Sequence, residues 1–206
     1  MESIRKLLLS KETKGPLPAF TGVQLVYLIL LVGSEPFIGR KKLTQLLGVG
    51  EGSVRTMLSR LVSLGYVVST RSGITLTETG RKLYETLRNL VSPLMKVDFA
   101  MPWDAYHNYG VVLRGAAGKV STGIEERDEA VRHGASAAMV LTCEPDGIHM
   151  PKVTNLSVER PEFAEQIKSF FKPVEGDVII VAGAPTDHQA KYSALAAALK
   201  VLFEKT

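Results

Sequence analysis

Ser53, Arg55, Thr56, Ser59, Arg60 and Ser63 are interleaved with the apolar residues Val54, Met57, Leu58, Leu61 and Val62. That spacing predicts a helix with one face for a core and another carrying hydroxyls and guanidinium groups. Its chemistry is recognition by hydrogen bonds. Small hydroxyl side chains permit close approach to the floor of a major groove, and Arg55 matches the paired acceptors of guanine. Gly52 and Ser53 open the helix, where free backbone N–H groups can hold a phosphate. Arg40, Lys41 and Lys42 lie upstream, placed for backbone phosphates, and Arg71 is placed for a minor groove or the backbone. Glu51 stands against this reading, because a carboxylate repels phosphate, and it is read as a cap. The competing view of all these residues is an ordinary solvated helix face.

A second group, Arg114, Arg127 and Asp128, lies near the end of an expected strand and in the helix that follows it. Together they are candidates for holding an anionic ligand, with a plain ion pair as the simpler alternative. Cys143, His107, His133, His149 and His188 are metal-ligating types, but none falls in a close pair such as C-x-x-C or H-x-x-x-H, so no metal or cofactor is expected. The glycine run Gly48 to Gly52 follows a helix instead of a strand and lacks the context of a phosphate cradle. Gly183 to Asp187 does follow a strand and precede a helix, where an anion site competes with a simple turn. No Ser-His-Asp, Cys-His or paired-carboxylate arrangement is evident, and the chain is not expected to be an enzyme.

These residues need a frame. Met1 to Lys14 suits a short helix that Gly15-Pro16-Leu17-Pro18 would stop. Thr21 can cap a helix running to about Val32, apolar around most of its circumference. Arg40 to Leu47 and Glu51 to Leu64 form two further helices about the Gly48-Val49-Gly50 break. Gly65 ends the second, Tyr66 to Thr70 and Ile74 to Leu76 read as a hairpin, and Thr77 to Leu90 as a closing helix. Past Pro93 the order is strand (Tyr109 to Leu113), helix (Ile124 to His133), strand (Ala137 to Cys143), strand (Ile148 to Met150), helix (Glu162 to Phe171), strand (Asp177 to Val181) and a long helix (Asp187 to Glu204). The fold class is therefore α+β. Residues 1–92 are expected to be a winged helix-turn-helix DNA-binding domain. Residues 93–206 are expected to be a ferredoxin-like βαββαβ regulatory or dimerisation domain with an extra C-terminal helix. The apolar arc of that last helix is wider than one sheet face covers, which predicts a second partner, preferably the same helix of another subunit.

Composition agrees with a folded chain: 45% of its 206 residues are hydrophobic and 22% charged. The net charge of +4 divides unevenly, with 14 Lys and Arg against 6 Asp and Glu in residues 1–96 and 11 against 15 beyond. A basic half joined to an acidic half fits one half meeting a polyanion. One cysteine, Cys143, excludes an internal disulfide and suits a reducing cytoplasm. The longest apolar run, Leu25 to Val32, falls well short of the roughly 20 residues that span a bilayer, and no export signal is read.

The stretch from Ile38 to Leu87, with L-T-E-T-G after the hairpin, resembles the winged-helix domains of prokaryotic regulators. The strings R-D-E-A-V-R-H-G-A and G-D-V-I-I-V make the whole chain similar to an archaeal family of winged-helix proteins with a C-terminal domain of unknown function. The resemblance implies a regulator without naming its signal. The combined expectation is a cytoplasmic transcriptional regulator that binds double-stranded DNA as a homodimer, with room for a small-molecule effector and no membrane partner. An enzyme carrying an accessory winged helix and a protein-docking module remain open beside it.

Overall fold

The computed structural model describes residues 2–9 and 20–203. Two compact units divide the chain, Met1–Arg88 and Asn89–Thr206. Among the described residues no helix is long and apolar enough to cross a membrane.

In the first unit, α1 (Glu2–Leu9) packs its buried Ile4 and Leu7 against α2 (Gly22–Gly33). The expected Gly15 to Pro18 stop lies outside the described residues. Thr21 starts α2 with a reciprocal cap: Gln24 N–H donates to the Thr21 hydroxyl and Gln24 Oε1 accepts from Thr21 N–H. Seven residues of α2 are buried, as its all-round apolar sequence requires. Next, α3 (Arg40–Leu47) ends on Gly48 in the left-handed conformation, φ 64°, whose N–H closes on the Thr44 carbonyl. A side chain is strained in that conformation, so glycine makes the tight turn into α4 (Glu51–Ser63) possible.

Strands β1 (Val67–Thr70) and β2 (Gly73–Leu76) pair from Val67↔Leu76 to Thr70↔Gly73, leaving Arg71 and Ser72 as a two-residue loop. Ile38 adds a bridge to the other side of β2, exchanging bonds of 3.0 and 2.9 Å with Ile74. Sequence patterning misses this third segment because one bridging residue has no period. The unit closes with α5 (Glu78–Leu90), whose early turn receives Thr77 Oγ1 as acceptor for Gly80 N–H at 3.0 Å. The order and pairing are those of a helix-turn-helix followed by a wing.

The second unit is a six-stranded antiparallel sheet with helices on both faces. Its strands are β3 (Met95–Lys96), β4 (His107–Leu113), β5 (Ala137–Glu144), β6 (Gly147–Met150), β7 (Thr154–Asn155) and β8 (Val178–Ala184). Their spatial order is β3-β4-β8-β5-β6-β7. The βαββαβ succession is present, but the ferredoxin-like arrangement is corrected. There the last strand lies at an edge beside the first, whereas β8 lies between β4 and β5. All seven residues of β8 are buried, and a strand apolar on both faces belongs where both faces are covered. On one face Ile179 and Val181 join Val112, Met139, Leu141 and Ile148 beneath α7 (Leu156–Glu159) and α8 (Pro161–Phe171). Helices α6 (Ile124–Arg132) and α9 (Asp187–Phe203) pack on each other and on the sheet.

The polar stripe expected along α9 is narrower than its sequence suggests. Leu199 is 1% exposed, Ala194, Leu195 and Ala197 are fully buried, and so is Ser193 from the stripe expected to be polar.

Gly80 fixes the wing to the helical frame. A Cβ there would stand 1.9 Å from the Tyr66 carbonyl oxygen, a collision with backbone. Gly80→Ala is expected to destabilise the first unit by at least about 1–3 kcal/mol. Urea unfolding would check this, and an unchanged midpoint would mean that α5 shifts freely against the wing.

Candidate nucleic-acid interface

Val54, Met57, Leu58 and Leu61 bury one side of α4. Gly52, Arg55, Thr56 and Ser59 are consequently exposed, with Ser53 and Arg60 half-buried. The Thr56 hydroxyl donates to the Gly52 carbonyl at 3.1 Å, so its remaining capacity outward is as an acceptor. The N-cap of α4 is Gly50, without a side-chain cap. Glu51, expected as the cap, instead faces Arg55 at 3.7 Å, both side chains about 70% exposed. An exposed pair of that length is weak.

Helix α3 presents a conflict. Its N-cap, Gly39, offers no side chain, and its first three residues are Arg40, Lys41 and Lys42 with no acid in the first turn. Cations at the positive end of a helix are unfavourable, by roughly 0.3–1 kcal/mol each. Lys42 is partly neutralised by an ion pair with Glu35. Arg40, Lys41 and the exposed Arg71 of the wing have no ion-pair partner among the described residues. A local rule broken without internal compensation is where an external anion is anticipated.

Between α4 and the wing lies a concavity of ≈ 270 Å³ that sequence reading did not anticipate. Arg40, Arg55, Ser59 and Ser69 supply its polar groups, and Leu58, Val62, Val67 and Ile74 its apolar wall. These residues come from four elements and share no sequence pattern, which is why the site was not legible.

The second-unit candidates separate. Arg114 Nη1 donates to Asp177 Oδ2 at 2.5 Å. Arg127 instead pairs with its neighbour Asp128 at 3.0 Å, both half-exposed. Asp177 is 1% exposed and also accepts from the N–H groups of Gly115 and Val174, each at 3.0 Å. At the start of α9, Thr186 accepts from Gln189 N–H and donates to Gln189 Oε1. Asp187 occupies the first turn, so the helix end is already capped and negatively charged. Burial pushes the Asp187 carboxyl up, but hydrogen bonds from Lys191 and Tyr109 outweigh it and hold the group below its usual range.

The β5–β6 hairpin brings together residues that sequence spacing did not connect. Ligand atoms of Glu144, Asp146 and His149 lie within 4.8 Å of one another, a donor set able to hold a metal ion. His149 Nε2 lies 2.8 Å from Asp146 Oδ1, and this hydrogen bond holds the Asp146 carboxyl below its usual range.

Asp177→Ala leaves two backbone N–H groups without their acceptor and removes the partner of Arg114. Hydrogen bonds to a charged group contribute about 1.5–3 kcal/mol each, and the exposed Gly115 and Val174 donors regain part of that from water, so an overall loss of about 2–4 kcal/mol is expected. Thermal unfolding of the variant would measure it, and a loss below about 1 kcal/mol would mean that water replaces the carboxylate.

Residues 24–82 match the family model described as PH0730-like, N-terminal domain, and residues 105–202 match a domain of unknown function, DUF4443. No curated protein matches the chain. Among solved structures, a MarR/EmrR family transcriptional regulator from Acinetobacter sp. ADP1 is 23% identical. It covers 43% of this chain and 63% of its own at a TM-score of 0.30, too low to carry an argument. The hypothetical protein PH0730 from Pyrococcus horikoshii OT3 is 31% identical over 91% of this chain and 96% of its own, with a TM-score of 0.71. With that identity sustained across both units, the chain belongs to the same family as PH0730.

Proposed function

We propose that the protein is a DNA-binding transcriptional regulator of the cytoplasm, working as a homodimer. Residues 1–92 form its DNA-contacting domain and residues 93–206 a domain for dimerisation or effector sensing. The observation that carries this reading is the uncompensated Arg40-Lys41 pair at the uncapped start of α3, beside the exposed polar face of α4. Phosphate oxygens would neutralise those cations and accept from the open N–H groups at the starts of α3 and α4. With the backbone held there, α4 lies in a major groove, where Arg55, Thr56 and Ser59 reach base edges and Ser53 and Arg60 flank them. Arg71 at the loop of the wing meets the neighbouring backbone or minor groove.

Affinity for a genomic duplex should fall steeply with salt as bound cations release counterions from phosphate. Arg55→Ala is expected to weaken the preferred sequence by about 1–3 kcal/mol and relax base preference. Lys41→Ala should weaken preferred and random duplexes alike and flatten the salt slope by roughly one ion. Fluorescence anisotropy on duplexes selected from the host genome would check both. Wild-type binding by both variants would place the DNA on another surface.

Glu51 provides a test of opposite sign. Glu51→Gln removes a carboxylate from the helix start and frees Arg55, so duplex affinity should rise about two- to fivefold at low salt and converge with wild type at high salt. A decrease would mean that Glu51 is needed to position Arg55.

A further inference from the structure

We infer that the β5–β6 hairpin carries a binding site for one divalent first-row transition ion, held by Glu144, Asp146 and His149, with water completing an octahedron. The site lies wholly in the second unit and does not depend on the DNA reading. Strand register makes the meeting. Glu144 pairs with Gly147 and Thr142 with His149, so Pro145 and Asp146 form a two-residue loop, and Thr142, Glu144 and His149 share one face. On the other side of β6, His149 pairs with Asn155 of β7, which brings that amide to the same face. The ligand atoms of Glu144, Asp146 and His149 converge within 4.8 Å, and His149 Nε2 and Asp146 Oδ1 are 2.8 Å apart. With metal–ligand bonds of about 2.0–2.1 Å, adjacent ligands stand roughly 2.9 Å apart in an octahedron and roughly 3.4 Å apart in a tetrahedron. The hairpin matches the octahedron.

Two observations outside the ligand geometry point the same way. The first is charge. Glu144 and Asp146 are held side by side, and among the described residues no Lys or Arg pairs with either. Adjacent carboxylates repel, and His149 offsets them only when protonated. A divalent ion neutralises both. The second is orientation. Asn155 Nδ2 donates to Asp146 Oδ2 at 3.2 Å, and the Thr142 hydroxyl donates to Glu144 Oε1 at 2.9 Å. Neutral donors thus hold one oxygen of each carboxylate and leave the other to ligate, as the residues behind metal ligands commonly do. Both donors are themselves fixed: Thr142 is 3% exposed, and Asn155 Oδ1 accepts from Ser157 N–H at the start of α7. The imidazole decides the class of ion. Nitrogen among carboxylate oxygens favours manganese, cobalt, nickel or zinc over magnesium and calcium, which take oxygen.

Cobalt(II) is the probe, titrated into the untagged full chain by calorimetry and visible absorption. One equivalent should bind with a dissociation constant on the order of 10–100 µM, showing the weak bands of a six-coordinate ion. Magnesium should bind at least about tenfold more weakly. Asp146→Asn and Glu144→Gln keep the shape of exposed side chains, so each should fold as wild type and lose at least about tenfold in cobalt affinity. His149→Asn should lose as much and also erase the preference for cobalt over magnesium. His188→Ala, which alters an imidazole at the start of α9, should bind as wild type does. Cobalt should raise the melting temperature of wild type and leave that of Asp146→Asn unchanged. No cobalt binding below about 1 mM, equal binding by wild type and His149→Asn, or equal affinity for cobalt and magnesium overturns the site. Should His149→Asn fail to fold, the Asp146→Asn and Glu144→Gln titrations decide alone, wild-type affinity in both overturning it. None of these readouts requires that the chain bind a duplex.

Discussion

Four apolar side chains of α4, Val54, Met57, Leu58 and Leu61, hold that helix in the core of the first unit, and the rotation they impose governs what the unit offers outward. Truncating a buried side chain of this kind costs about 2–5 kcal/mol, far more than any exposed contact contributes, so no surface interaction can turn the helix. With the rotation fixed, Arg55, Thr56 and Ser59 are exposed together. The Gly48 turn then sets α3 against α4, and the Ile38 bridge ties the chain before α3 to the wing. Arg40 reaches the α4–wing concavity because of that tie.

The same frame leaves electrostatic costs in place. Two successive helices begin on glycine without a side-chain cap, and one of them begins with three cations. By contrast, α2 begins with the reciprocal Thr21–Gln24 cap, and α9 with Thr186 and Gln189. Helices α6 and α8 also begin without a side-chain cap, so what sets α3 apart is the run of three cations at its start. Glycine at an N-cap gives up only roughly a few tenths of a kcal/mol relative to a capping side chain, less than the cost of the cations themselves. Three cations at an uncapped helix start are consistent with a surface that meets an anionic partner, which supports the proposed function.

The second unit is organised differently. The sheet buries both faces of β8, and the buried Asp177 beside it is satisfied by one guanidinium and two backbone donors. That arrangement uses Arg114 in a structural pair. At the periphery of this unit lie the Glu144, Asp146 and His149 hairpin cluster and the exposed Arg127–Asp128 pair.

Local regularities were determined by sequence. Thr21 capped a helix where a Thr-x-x-Gln pattern allowed it, Gly48 and Gly65 ended helices, and the period of Val54 to Leu61 chose the buried face of α4, because each depends on neighbours a few residues away. The arrangement of distant segments was decided only in three dimensions. An all-apolar run announces that β8 is buried on both faces without saying which strands flank it, so the element order was legible and the sheet order was not. Likewise, a helix apolar on most sides must be covered, but periodicity does not say by what, and α6 and strands β4 and β8 supply the cover of α9 within its unit. The α4–wing concavity and the Glu144–Asp146–His149 cluster were illegible because their residues meet only through pairing and packing, and spacing along the chain carries no record of that meeting.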